Sequence, residues 1–268
     1  MTFMDRLRGL IIPVGVMLLV LIVAGLGAFI WTSTYVHSVA SGAQLNRSPA
    51  RPADSQGRPP SPTSPATLAA LLTKVHGAVW EVDTFDANGQ PSVGSAFAVV
   101  SSANQTLLLT SYSVVTAATF QPAPSIDLRQ GSVSKSATLR TWDAANDLAL
   151  LVLDEGNQPV LVWPTPGTSS QLAQQVYVVS GAGGSNGIIT TGKLSSASTA
   201  AGVVDNAPQD KAARGGPLVD ASGAALGVDS LDYMPAQVGT FSGGHVAVPI
   251  QNACIEVLSC PGDTFPSS

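Results

Sequence analysis

The longest apolar stretch of the chain runs from Gly9 to Trp31 without a charged residue. At 1.5 Å of rise per residue this makes a helix of roughly 34 Å, matched to a hydrocarbon core of about 30 Å. Pro13 stands near its start, where a helix in lipid tolerates it. Arg6 and Arg8 precede the run, and the next basic side chain after it is Arg47. The positive-inside rule therefore predicts a cytoplasmic segment 1–8, a membrane helix 9–31 and an extracytoplasmic remainder. A cleaved signal peptide is the competing reading, because Ser38-Val39-Ala40 resembles a small-residue cleavage site. The apolar run far exceeds the usual ~7–15 residues of a signal core, which favours an uncleaved anchor.

Periodicity then disappears. Pro49, Pro52, Pro59, Pro60, Pro62 and Pro65 lie among Ser, Arg, Gln and Gly, and residues 32–66 are expected to form a poorly ordered tether. Thr67 reads as the N-cap of a short helix, Leu68 to Leu72, that opens a folded domain over 67–268.

Beyond Lys74 the apolar positions fall into short runs separated by turn residues. Predicted strands cover Val79–Thr84, Ser95–Val100, Thr106–Thr110, Ser125–Leu128, Ala137–Trp142 and Leu148–Leu153. A second set covers Gln175–Val179, Ile188–Leu194, Gly202–Val204, Pro217–Val219, Ala224–Asp229 and His245–Pro249. A Pro- and Gly-rich break near 156–170 divides the two sets. Short, closely spaced strands with almost no helical period between them predict an all-β fold. Here that means two packed six-stranded antiparallel barrels, about 75–158 and 165–258. The Gly181–Gly187 loop superficially resembles a phosphate-binding loop. A strand rather than a helix N-terminus follows it, so it reads as a flexible turn.

Composition narrows the function. Net charge is −5, and charged residues make up 11% of the chain without a basic cluster. That excludes a nucleic-acid partner, since phosphate binding needs concentrated positive charge. The acidic residues are scattered singly, so no metal or cofactor is expected. Cys254 and Cys260 are the two cysteines; outside the cytoplasm a local disulfide is their expected use, with buried free thiols as the alternative. Richness in Ala, Gly and Val fits a bacterium with a GC-rich genome.

Several segments, in order, resemble trypsin-like serine proteases of the bacterial HtrA/Deg type. Gly94-Ser95-Ala96-Phe97 and Leu109 to Ala118 resemble the family's first-barrel strand and its histidine segment. Asn146-Asp147-Leu148-Ala149-Leu150-Leu151 resembles the aspartate segment. Gly187 to Ser195 is similar to a hairpin ending in Gly-x-Val-Ser. Arg214-Gly215-Gly216-Pro217-Leu218-Val219 with Gly223 to Val228 resembles the nucleophile loop and its following strand, and Gly244 to Ile250 closes the match. The resemblance covers about 75–258 and implies the chymotrypsin double-barrel fold. No space is expected after Cys260 for the PDZ domain that often follows in the family.

The resemblance also assigns the catalytic positions. Such an enzyme needs a hydroxyl nucleophile, a histidine base, an orienting carboxylate and an oxyanion hole. Here the histidine position is Ser113 and the nucleophile position is Arg214, which is always cationic. The oxyanion loop carries Ala212 and Ala213, with Ala212 at the usual glycine. Only Asp147 matches. None of His37, His76 and His245 falls near the histidine segment, and no serine has a distinctive setting beside Lys135, Lys193 or Lys211. Arg214 is read either as a solvated loop residue or as a plug that pairs with Asp147 beside Ser113. Asp147 could equally cap a turn.

These assignments predict a membrane-anchored pseudoprotease that binds a protein partner at the cell surface or in a membrane complex and cleaves nothing. Its partners are membrane lipid, through the N-terminal helix, and a protein. An enzyme of different chemistry in the same cleft is the second reading, and a serine protease with residual or unconventional activity is the third.

Overall fold

In a computed structural model, the described residues are 65–164, 171–183, 187–195, 201–235 and 244–260. The membrane helix expected over 9–31, nearly all of the tether and His37 lie outside them. Among the described residues no helix is long and apolar enough to cross a membrane.

Strands β1 (Val79–Phe85), β2 (Pro91–Ser101), β3 (Thr106–Thr110), β4 (Ile126–Gln130), β5 (Val133–Asp143) and β6 (Leu148–Leu153) come first. They close into a barrel in the order β1-β2-β3-β6-β5-β4, every neighbouring pair antiparallel. The period of two along a strand explains why the inner ones read as unbroken apolar runs. Trp80, Val82, Leu108, Leu128, Leu151 and Leu153 fill the barrel interior. The intervening Val79, Leu109, Leu148 and Leu150 face outward into a second cluster containing Tyr177, Val179 and Val219. Both faces of β3 and β6 are therefore buried. Truncating Leu109, which is fully buried, to Ala would cost about 3 kcal/mol by transfer and cavity terms.

The later strands are β7 (Gln175–Ser180), β8 (Ile188–Lys193), β9 (Val203–Asp205), β10 (Pro217–Asp220), β11 (Ala225–Val228) and β12 (His245–Pro249). They form one sheet in the order β8-β7-β10-β11-β12-β9. Its two ends meet at a single bridge, Leu194 to Asp205. This curled six-stranded sheet is consistent with the second barrel expected, its seam joined at that bridge. With only three residues, β9 is too short to zip along β8, and the Lys193 amide donates to the Asn206 side chain (2.8 Å) instead. Gly192 lets the seam close, since a Cβ there would sit 2.3 Å from the Ala207 nitrogen. Val176, Val178, Leu218 and Leu226 fill the interior.

The entering helix, α1 (Pro65–His76), is longer at both ends than expected. It starts at Pro65 rather than after Thr67, because proline suits a first turn whose N–H groups have no intrahelical acceptor. It continues past Leu72 because Val75 joins Leu71 in the buried cluster. The Lys74 ammonium donates to the Ser222 carbonyl (2.5 Å), which pins the helix to the β10–β11 turn. At the other end of the domain, α3 (Ile250–Ala253) passes into a π-helical turn, Cys254–Leu258. There Cys254 and Cys260 form the expected disulfide, with Cα atoms 4.9 Å apart.

Candidate functional site

Asp147 ends the turn between β5 and β6 in a left-handed conformation (φ 49°) and is 4% exposed. Its carboxylate is surrounded by donors. Oδ1 accepts the Ser113 N–H at 2.7 Å. Oδ2 accepts the hydroxyls of Ser111 and Ser230 at 2.5 Å each, with the Ser113 hydroxyl, which donates to Ser111, 3.4 Å away. Ser111 and Ser113 also share a 2.7 Å hydrogen bond, and the Asp147 carbonyl accepts the Tyr112 N–H at 3.2 Å. Ser111 precedes the single-turn helix α2 (Tyr112–Val115) in extended conformation. This turn aims the Ser113 amide at the carboxylate. Both oxygens of the carboxylate are thus engaged by donors.

Arg214 lies on the loop 206–216, which joins β9 to β10. Its carbonyl accepts the Ser95 N–H at 2.8 Å, stitching the loop to β2. Gly215 follows with φ 84°, and a Cβ there would sit 2.3 Å from Thr110 Oγ1 and 2.4 Å from the Ser95 carbonyl oxygen. No side chain fits that position. The guanidinium does not reach Asp147. Its ion pair is with Asp232, at 3.9 Å, and its buried Nε has no hydrogen-bond partner. The expected plug of Arg214 on Asp147 is therefore corrected: three serines already satisfy the carboxylate, and the arginine turns toward the segment after β11.

The loop before Arg214 is drawn around another acid. The Ala212 and Ala213 amides donate to Asp210 Oδ1 at 2.8 and 2.9 Å. The Ala212 carbonyl accepts the hydroxyls of Ser95 (2.6 Å) and Ser180 (3.1 Å). A cavity of about 140 Å³ beside this turn is lined by Ser180, Thr190, Gln209 and Asp210 among others.

Two further acids lie under the loop. Asp205, at the end of β9, is 1% exposed, and Asp229, just past β11, is 0% exposed. Burial pushes the Asp205 carboxyl up to about 6, offset in part by the Ala207 N–H. Burial pushes Asp229 well above the usual carboxylate range, and the charges of Asp205 and Asp210 push it further. The Ser230 N–H and the Gln209 carboxamide are near enough to favour the Asp229 anion in part, yet both fall short of a hydrogen bond. Both Asp229 oxygens and Asp205 Oδ2 lack a hydrogen-bond partner.

The structure thus brings Ser113 to Asp147 and leaves Arg214 apart from both. Neither His76, at the end of α1, nor His245, at the start of β12, makes a hydrogen bond to Asp147, whose side-chain partners are serines and an amide. Lys135 pairs with Glu155, and Lys211 is exposed. Among the described residues no group of three or more metal-ligating side chains converges. Sequence reasoning missed Ser111 and Ser230 as partners of Asp147, and missed Asp205, Asp210, Asp229 and Asp232 altogether. One signal was visible: Asp229 closes an otherwise apolar strand run, and an acid there enters the core.

A closed six-stranded barrel beside a curled six-stranded sheet, with the aspartate segment on one and the glycine-rich loop on the other, defines the serine-peptidase class of fold. A family model described as the trypsin-like peptidase domain matches residues 94–228. The chain belongs to that family. Among solved structures, Deg5 is similar, with TM-score 0.57 and 18% identity over 71% of this chain and 91% of that one. A serine endoprotease from Yersinia pestis is also similar, with TM-score 0.57 and 21% identity. That match covers 73% of this chain and 65% of the endoprotease. No curated protein matches the sequence.

Proposed function

We propose that the chain is a membrane-anchored, extracytoplasmic pseudoprotease that uses the peptidase fold to hold a protein partner without hydrolysing it. The observation that carries this reading is the bonding of Asp147. An orienting carboxylate in such an enzyme directs an imidazole; this one receives two serine hydroxyls and an amide. Two further features support it. Arg214 stands at the nucleophile position, and the Ala212 amide, which the family would aim at a developing oxyanion, donates to Asp210. Loss of base and nucleophile together removes on the order of 10⁶ in rate from an enzyme of this kind. The anchor rests on the uncharged run Gly9 to Trp31 and the arginines before it.

A fluorophosphonate probe on the purified full chain separates this reading from a residual protease. No labelling is the expected result; a labelled serine that is lost on heat denaturation restores the protease. Affinity purification from detergent-solubilised membranes tests the binding half. One stoichiometric protein should recur, and repeated recovery of the bait alone counts against a partner.

A further inference from the structure

The two acids beneath the loop 206–216 play no part in the reading above, and they occupy its two roots. Asp205 is the last residue of β9, and the loop departs from it: its Oδ1 accepts the Ala207 N–H at 2.7 Å. Asp229 holds the far end through its backbone, accepting the Gly215 N–H and donating to the Gly216 carbonyl at 2.8 Å each. Strand β12 runs between their strands, pairing with β11 on one side and β9 on the other. Three of the four carboxyl oxygens have no hydrogen-bond partner. Two such oxygens cannot both carry full charge in an apolar interior without a cation. None is supplied. Among the described residues the ion pairs are Arg129–Asp83, Lys135–Glu155 and Arg214–Asp232. The other groups around the pair are Asp210 on the loop, a third acid, and His245, which stands opposite Asp205 in the β9–β12 register. Lys211 is exposed on the loop.

We propose that Asp205 and Asp229 form a proton-operated latch for the cleft loop: while protonated they seat residues 206–216 on the second sheet, and when both ionise the loop loosens and carries Arg214 with it. The direction follows from linkage. Both carboxyls bind a proton more tightly folded than unfolded, so the seated form is favoured in acid. For Asp205 that advantage is lost as pH rises from about 4 through about 6, and for Asp229 the loss continues above that range. The latch does not depend on whether the cleft binds a partner or cleaves one.

Hydrogen exchange of the full chain in detergent, read by mass spectrometry at pH 5 and pH 8 and corrected for intrinsic rates, tests it. Protection of the 206–216 amides should fall by about tenfold or more at the higher pH, one unit of carboxyl shift being tenfold in the opening equilibrium. The amides of β3 and β6 should not change. In the Asp205→Asn/Asp229→Asn protein the same loop should keep its protection at pH 8 within about threefold. Equal protection at both pH values in the wild type overturns the latch, and so does an equal loss in the double variant. If that variant does not fold, the infrared carbonyl band of a protonated carboxylic acid gives a second readout on the wild type. It should disappear over the pH range in which the loop opens; its absence at pH 5 overturns the proposal.

Discussion

Asp147 and Asp229 are the same residue type, 4% and 0% exposed, and are linked through Ser230, yet their surroundings differ. Asp147 is met by three short hydrogen bonds, from the Ser111 and Ser230 hydroxyls and the Ser113 N–H. Asp229 has none on either oxygen. Burial alone therefore does not decide what a carboxylate does in this protein. Hydroxyl and amide donors make the first a tie between the β5–β6 turn, α2 and the end of β11. Missing donors make the second a proton carrier. Ser230 follows Asp229 directly, so one backbone segment serves both acids: its amide and carbonyl hold the nucleophile-position loop, and its next hydroxyl holds Asp147.

If the first acid is a structural tie, its removal should have the largest effect. Asp147→Ala leaves the Ser113 amide and the Ser230 hydroxyl proton without their acceptor and forces a residue without a polar side chain to keep φ 49°. A loss of about 3 kcal/mol in urea denaturation is expected, the sum of one to two unsatisfied buried groups and the backbone strain. Asp147→Asn tolerates the left-handed backbone and still accepts at one oxygen, so about half of that loss is expected. No loss for Asp147→Asn beside a full loss for Asp147→Ala would show that the network contributes little beyond the backbone.

Asp147 itself was legible in the sequence, through Asn146-Asp147-Leu148-Ala149-Leu150-Leu151, but its partners were not. Ser111 and Ser230 lie 36 and 83 residues away, and a hydroxyl leaves no periodic trace of the carboxylate it will meet. Strands were easier. The limits of β3, β6 and β12 are those expected, because each is an apolar run bounded by turn residues. Strand β5 begins at Val133 instead of Ala137, since Ser134, Lys135 and Ser136 are held by backbone pairing to β4 rather than by burial. The turn of Arg214 away from Asp147 was illegible for the same reason as the serines: a long side chain follows the tertiary charge pattern, and Asp232 supplied the nearer one.

The second acid should respond in the opposite sense to the first. Asp229→Asn removes an ionisable group that is expensive to charge where it sits. At pH 8 the variant should be more stable than the wild type by about 1–2 kcal/mol, and at pH 5, where the wild-type carboxyl is protonated, the two should converge. Parallel stability curves across that range would place the acid's charge elsewhere and remove the contrast with Asp147.

The smallest effect belongs to the pair that links the loop to the segment beyond β11. Asp232 is 59% exposed and stands 3.9 Å from the Arg214 guanidinium, beyond hydrogen-bond distance. Exposed pairs of this kind contribute about 0–0.5 kcal/mol. Asp232→Asn should leave the thermal midpoint of the full chain essentially where it was. Arg214→Ala should cost more, about 1 kcal/mol, because its side chain is 17% exposed and its stem loses packing as well as charge. A double-mutant cycle separates the two terms. A coupling above about 1 kcal/mol would make Asp232 a fixed partner of the loop and bring it into the same class as Asp147. A coupling near zero leaves Arg214 held by its stem, with its charge contributing nothing to the seating of the loop.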